Sequence, residues 1–344
     1  MSLSITIFPD LCAPNLEELD ISFCENLIEI HEAIGSLEKL KCWNLKGCKK
    51  LQILPSSFRL KSLENIYLDH CVSLETLPDL CAPNLRALEI KYCKNLIEIH
   101  EAFGSLEKLE CWYLEGCEKL KILPSSFRLK SLESFCLYDC VGPETLPDLC
   151  APNLIELCIR NCKNLIEIHE AFGSLDKLNY FQVNNCKKLQ ILPNTLRLKS
   201  LEVLTLNCCV SLEKFPNIHP EIKCEVVNLS DCNIKEWPLS VGYLFSGLTN
   251  LSLDNNQSLG EDFPVSISKC KFTNLKWLSL VKGCDGNIIE SHILMKPDSF
   301  PLLKDLYLDD TNIVTIPRSI IRFTTLEILS MDSCKSLQIG RAYV

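Results

Sequence analysis

The chain has 344 residues, nearly half of them apolar, with a net charge of -9 and an isoelectric point near 5.3. That acidity argues against nucleic acid, whose binders need a basic face, and no apolar run is long enough to span a bilayer. The start, MSLSITIFPD, lacks a basic segment followed by a long apolar one, so neither export nor a membrane role is expected.

The first predicted element is the turn IFPDLCAPNL at 7–16, which returns as TLPDLCAPNL at 76–85 and again at 145–154. A strand template, LxxLxLxxC, follows as LEELDISFC at 16–24, LKCWNLKGC at 40–48, LENIYLDHC at 63–71 and LRALEIKYC at 85–93. These end cysteines are 24, 23 and 22 residues apart, which sum to 69. The same 69 separates Cys12, Cys81 and Cys150, and likewise His31, His100 and His169. Three short repeats therefore make one long unit, copied at least three times. A leucine-spaced period of 20 to 29 residues signals a solenoid that grows by stacking.

Along each strand side chains alternate, so the two apolar residues of LxL point inward. Trp43, Trp112 and Phe181 occupy such slots and are expected in the core. Next comes xxLxxLP, as in KKLQILP at 49–55 and VSLETLP at 72–78. Its proline stops pairing and is expected to open a short helical turn. Segments such as HEAIGSLEKL and SSFRLKSL then return along the opposite side.

Fourteen repeats are counted from the template ends Cys24, Cys48, Cys71, Cys93, Cys117, Cys140, Cys162, Cys186, Cys209, Cys232, Asn256, Cys284, Thr311 and Cys334. Stacked in line, those thiols should be buried and reduced, acting as small apolar residues that donate weakly to neighbouring carbonyls. This usage fits a reducing compartment, the cytosol or nucleus. The sequence reads as one repeat domain over 1–344, with regular triplet units over 7–218 and irregular repeats over 219–344. NIHPEIKCEVV and DGNIIESHILMKPDSF read as insertions, and the spacing grows to 28 before Cys284 and 27 before Thr311. Thirteen steps of about 4.8 Å give an inner arc of roughly 60 Å, which suits a protein ligand better than a metabolite.

The copies differ selectively. Residues 31–64 and 100–133 differ at six sites, Ile34/Phe103, Lys41/Glu110, Asn44/Tyr113, Lys46/Glu115, Lys49/Glu118 and Gln52/Lys121, and three of these reverse charge. Differences concentrate at outward strand positions and their exits, while convex HEA and RLKSLE stay constant. The residues expected to contact a protein ligand on the concave sheet are Tyr67, Asp69, His70, Glu89, Lys91, Tyr92, Tyr113, Glu115, Tyr138, Asp139, Arg160 and Asn184.

Catalytic chemistry finds no constellation. The pairs His31-Glu32, His100-Glu101 and His169-Glu170 suggest HExxH, but Gly35, Gly104 and Gly173 stand where the second histidine is required. Cys136/Cys140 and Cys158/Cys162 should each split across the strand and so not converge on one metal. No Gly-Lys dipeptide occurs, so a GxxxxGK[ST] phosphate loop is absent. No catalytic residue, cofactor or metal is expected.

The combination LxxLxLxxCxxLxxLP, in runs such as LEELDISFCENLIEI, CKKLQILPSSFRLKSLE and LEILSMDSCKSLQ, resembles the leucine-rich repeat region of plant disease-resistance proteins of the TIR-NB-LRR class, intracellular immune receptors. The resemblance implies an α/β solenoid: a leucine-rich repeat horseshoe with a parallel β-sheet on the concave face and short turns or helices on the convex face. It implies recognition of a pathogen effector or host protein, without catalysis, and regulation of an upstream TIR and nucleotide-binding (NB-ARC) region. Neither of those two domains is expected in this sequence, which ends at QIGRAYV. An alternative is an extracellular repeat ectodomain binding a peptide or glycan, suggested by the sequons at Asn228, Asn250 and Asn256.

Overall fold

In a computed structural model, residues 6–55, 58–146, 148–256, 259, 263 and 270–338 are described; part of the Asn256 sequon and most of QIGRAYV lie outside them. The chain divides into two units, Met1–Leu175 and Asp176–Val344. Each repeat contributes one short strand. In the first unit these are Glu18–Asp20, Cys42–Asn44, Asn65–Tyr67, Ala87–Lys91, Cys111–Glu115, Ser134–Tyr138 and Glu156–Arg160, each parallel to the next in chain order. In the second they are Tyr180–Asn184, Val203–Thr205, Val226–Asn228, Asn250–Ser252, Trp277–Ser279, Asp305–Tyr307 and Ile328–Ser330, paired likewise. The architecture is that of leucine-rich repeats.

Register follows from the inward residues. Leu19, Trp43, Ile66, Leu88, Trp112, Phe135 and Leu157 face one another in turn along the first sheet. Trp43, Trp112 and Phe181 are fully or almost fully buried. A one-residue slip would turn this whole row to solvent, so hydrophobic burial locks the repeats in line.

The ladder slots satisfy backbone groups that the turn would otherwise leave unpaired. Cys48 Sγ donates to the Ile21 carbonyl of the preceding repeat at 3.2 Å, Cys71 to Leu45 at 3.1 Å, Cys93 to Leu68 at 2.7 Å and Cys232 to Leu206 at 2.8 Å. Asn256 takes the same place, its amide donating to Leu229 at 3.0 Å and Leu253 at 2.8 Å, and Thr311 donates to Leu308 at 2.7 Å. Burial pushes the thiols of Cys48, Cys232 and Cys284 up to about 12, which holds them as neutral donors. Two ladder cysteines depart from the expected burial: Cys24 is exposed and Cys334 half-buried. They lie in the outermost strand-bearing repeats of the described residues and so are covered from one side only.

In thirteen repeats the residue just before the ladder slot has left-handed backbone: Phe23, Gly47, His70, Tyr92, Gly116, Asp139 and Asn161 in the first unit, and Asn185, Cys208, Asp231, Asn255, Asp310 and Ser333 in the second. In the Cys284 repeat Lys282 takes that conformation one residue earlier, at φ 50°, and Gly283 follows at φ 156°. Thirteen repeats thus share one turn, entered through a conformation that favours Gly, Asn and Asp. This constraint was readable from the Gly, Asn and Asp residues before the cysteines, but alternation alone does not reveal it.

On the return side, 3₁₀ turns span Glu32–Ser36, Glu101–Ser105 and Glu170–Ser174. They are opened by histidine, which stands seven residues after the ladder cysteine, where KKLQILP and VSLETLP carry proline. Nδ1 of His31, His100 and His169 accepts from the backbone N–H of Ala33, Ala102 and Ala171, each at 3.2 Å. After Pro124 and Pro193 the chain is extended instead, in Ser126–Arg128 and Thr195–Leu196, because pairing with Asp148–Cys150 and Asn217–Ile218 fixes it so. Only later does proline precede a helical turn, Pro317 before Arg318–Arg322 and Pro238 shortly before the helix Val241–Ser246. The stretch NIHPEIKCEVV contains the regular strands Asn217–Ile218 and Val226–Asn228, whereas DGNIIESHILMKPDSF folds into consecutive helical turns at Gly286–Ile288, Ile289–Leu294 and Pro297–Ser299.

Candidate functional site

Eleven of the twelve residues expected to bind lie in the first unit, and seven of them, Tyr67, Glu89, Lys91, Tyr113, Glu115, Tyr138 and Arg160, stand at outward positions of its strands. Two rows run across the strands. One aligns Tyr67, Glu89, Tyr113, Cys136 and Cys158; the other aligns Lys91, Glu115, Tyr138 and Arg160. Because each strand brings its side chains to the same height, residues of the two rows meet.

The contacts alternate charge and aromatic ring. Lys46 pairs with Asp69 at 3.2 Å and lies 4.9 Å from the Tyr67 ring centre. Lys91 pairs with Glu89 at 2.8 Å and lies 4.8 Å from the Tyr113 ring. Tyr113 meets Tyr138 edge to face at 5.3 Å, and the Arg160 guanidinium covers the Tyr138 ring at 5.5 Å. Burial, with Glu115 adding to it, pushes the Tyr113 phenol up to about 12, so it presents a neutral hydroxyl. Rings held on two sides lose little further freedom on binding, and aromatic and Arg anchors dominate protein recognition.

Three of the expected residues occupy a different place from that predicted. His70, Tyr92 and Asp139 stand in the left-handed turn beyond the strand. There His70 and Tyr92 approach with ring centres 4.8 Å apart, the Tyr92 hydroxyl donates to Glu115 at 2.6 Å, and Asp139 accepts from Asn161 at 2.8 Å. They form a rim at the strand exits. Asn184 belongs to the second unit, where it accepts from the Asn207 N–H at 3.2 Å. That unit's outward side carries polar contacts, Ser230 meeting Ser252 at 2.7 Å and Ser279 donating to Asp254 at 2.6 Å, and a ring pair of Trp277 and Tyr307 at 5.8 Å.

Two of the three charge reversals between copies are matched reversals. Lys41 pairs with Glu17 at 2.8 Å, and in the next copy Glu110 pairs with Arg86 at 2.9 Å. Lys49 pairs with Glu25 at 2.7 Å, and Glu118 with Lys94 at 3.0 Å. Each pair joins residues 24 apart in sequence, on adjacent repeats, so the partners changed sign together. Reading one position at a time misses this, and it removes Lys41 and Lys49 from the argument for a diversified surface. Lys46/Glu115 and the Asn44/Tyr113 exchange remain.

The cysteine pairs split across the strand as alternation requires. Cys140 and Cys162 serve the ladder on the inner side. The outer members, Cys136 and Cys158, are nonetheless register partners on adjacent strands, a juxtaposition the spacing within one strand does not disclose. Of the sequons, Asn228 is engaged by Ser230 and Asn250 by Thr249 within the sheet, and the Asn256 side chain is buried in the ladder. No helix among the described residues is long and apolar enough to cross a membrane.

No family model matches the chain. Among curated proteins it is 32% identical over 234 residues to Protein SUPPRESSOR OF npr1-1, CONSTITUTIVE 1 of Arabidopsis thaliana, covering 62% of this chain and 16% of that protein. It is 31% identical over 339 residues to Disease resistance protein RPP4 of the same plant, covering 96% and 28%, and 28% identical over 320 residues to TMV resistance protein N of Nicotiana glutinosa, covering 86% and 26%. The chain thus spans less than a third of the length of these relatives. Among solved structures it is similar to an internalin from Listeria monocytogenes, with TM-score 0.47, 16% identity and 94% and 86% of the two chains covered. With the repeat signature, the ladder and these plant relatives taken together, the chain is homologous to the leucine-rich repeat region of the plant disease-resistance proteins of the TIR-NB-LRR class.

Proposed function

We propose that the chain acts as one recognition domain of an intracellular immune receptor, binding a pathogen effector or a host protein on the outward side of its sheet, in the cytosol or nucleus and without catalysis. The observation that carries this reading is the cluster that Tyr67, Lys91, Tyr113, Tyr138 and Arg160 form across the two rows, held by ring and ion contacts yet turned outward. A protein ligand is favoured because the row extends across several strands and offers alternating charge with exposed ring area. Control of an upstream TIR and nucleotide-binding region belongs to the same proposal.

The test is a binding screen of the whole chain against candidate effectors and host proteins, followed by Tyr113→Ala, Tyr138→Ala and Arg160→Glu. Each should weaken a genuine ligand at least about thirtyfold, as hot-spot truncations do. Return-side Arg59→Glu and Lys130→Glu should leave it within about threefold, as isolated surface charges do. Equal losses from both sides would refute the assignment.

A further inference from the structure

Ser134, Cys136, Glu156 and Cys158 occupy the corners of one rectangle on the outward side of the first unit. Ser134 faces Glu156 across a single ladder step, and two residues further along Cys136 faces Cys158. The two sulfurs and a Glu156 oxygen all lie within 4.8 Å of one another. We propose that Cys136, Cys158 and Glu156 form a three-ligand site for a thiophilic divalent cation of the zinc class.

The donor set selects that class. Two thiolates and one carboxylate suit zinc, which sits about 2.3 Å from sulfur and about 2.1 Å from oxygen, so ligands on a common ion stand no more than about 4.6 Å apart. Hard cations such as magnesium and calcium take oxygen ligands instead. The cluster is nearly closed: Cys136 and Cys158 are each 4% exposed. Its outer contacts also resemble a metal site's support. Ser134 donates to Glu156 at 3.1 Å, and the other Glu156 oxygen accepts from Cys158 at 3.2 Å. The Tyr138 hydroxyl reaches both sulfurs. Binding would release the two thiol protons to solvent and replace the Cys158–Glu156 hydrogen bond with two metal bonds.

Among the described residues the arrangement occurs at one place. In the preceding copy the same corners hold Asn65, Tyr67, Ala87 and Glu89, which offer a single carboxylate and no sulfur.

The test is a titration of the whole chain, freed of metal under reductant, with Co²⁺ alone and then Zn²⁺. The expected result is one Co²⁺ per chain with a thiolate-to-cobalt charge-transfer band that Zn²⁺ abolishes. Cys136→Ser and Cys158→Ser should each remove the band. Glu156→Gln, which keeps size and shape, should weaken Co²⁺ at least about tenfold with an unchanged circular dichroism spectrum, and Cys81→Ser should change nothing. A band that survives Cys136→Ser, binding below one equivalent in protein of native circular dichroism, or a Cys136–Cys158 disulfide that persists under reductant and takes up no metal would each overturn the site.

Discussion

A β-carbon on Gly116 would stand 2.6 Å from Cδ1 of Tyr92. The same relation holds one copy earlier, where a β-carbon on Gly47 would stand 2.7 Å from Cδ1 of Phe23. In the third copy the corresponding residues are Asn161 and Asn185, both left-handed. Phe23 and Tyr92 therefore each come with glycine in the next turn, whereas Asn161 comes with asparagine. Left-handed backbone alone would admit asparagine throughout.

Gly116→Asn should accordingly destabilise the protein by about 1–3 kcal/mol through overpacking against the ring. Adding Tyr92→Asn should recover most of that loss, since the pair then matches the third copy. Urea denaturation of both single variants and the double variant measures the coupling; additive losses would show that the ring is not the cause.

The buried ladder thiols should be both unreactive and structural. In native protein, iodoacetamide should modify Cys12, Cys24, Cys81, Cys111 and Cys150, which are exposed, and leave Cys71, Cys93 and Cys232 unmodified. Cys93→Ala removes a donor and leaves a void, at a cost of about 1–3 kcal/mol. Cys81→Ser should cost less than about 0.5 kcal/mol. Peptide mapping and denaturation check the two halves.

Alkaline pH should unfold the chain through the same thiols. Cys232 and Cys284 rise from 9.0 to about 12 on burial. Below pH 9 folded and unfolded states both keep the proton, so stability is flat. Above it the unfolded thiol ionises first, and stability falls until the folded thiol titrates near pH 12. Each such thiol contributes at most about 1.4 kcal/mol per pH unit. Cys232→Ala should reduce the slope between pH 9 and 11 without steepening it below pH 9.

The repeated histidines should act as caps. His100→Ala removes the acceptor for the Ala102 N–H and should cost about 1 kcal/mol; His100→Asn, which offers a side-chain oxygen in a similar place, should recover about half of it. Melting curves report the difference, and equal losses in both variants would refute the capping role.

Much of the fold is legible from the chain alone. Leucine spacing, the 69-residue copying and the cysteines before xxLxxLP determined the strands, their inward rows and the ladder, because burial imposes the same residue types on every repeat. The return turns were less legible. Proline permits either an extended or a helical continuation, and pairing with the next repeat decided between them at Pro124 and Pro193. Tyr67, Lys91, Tyr113, Tyr138 and Arg160 were identifiable as outward from alternation, whereas His70, Tyr92 and Asp139 needed the backbone angles that put them in the turn. The ion pairs that reverse together, the Gly116–Tyr92 fit and the cluster of Cys136, Glu156 and Cys158 join residues 22 to 24 apart. Register brings such residues side by side, but side-chain packing decides which atoms meet, and only the tertiary structure contains that.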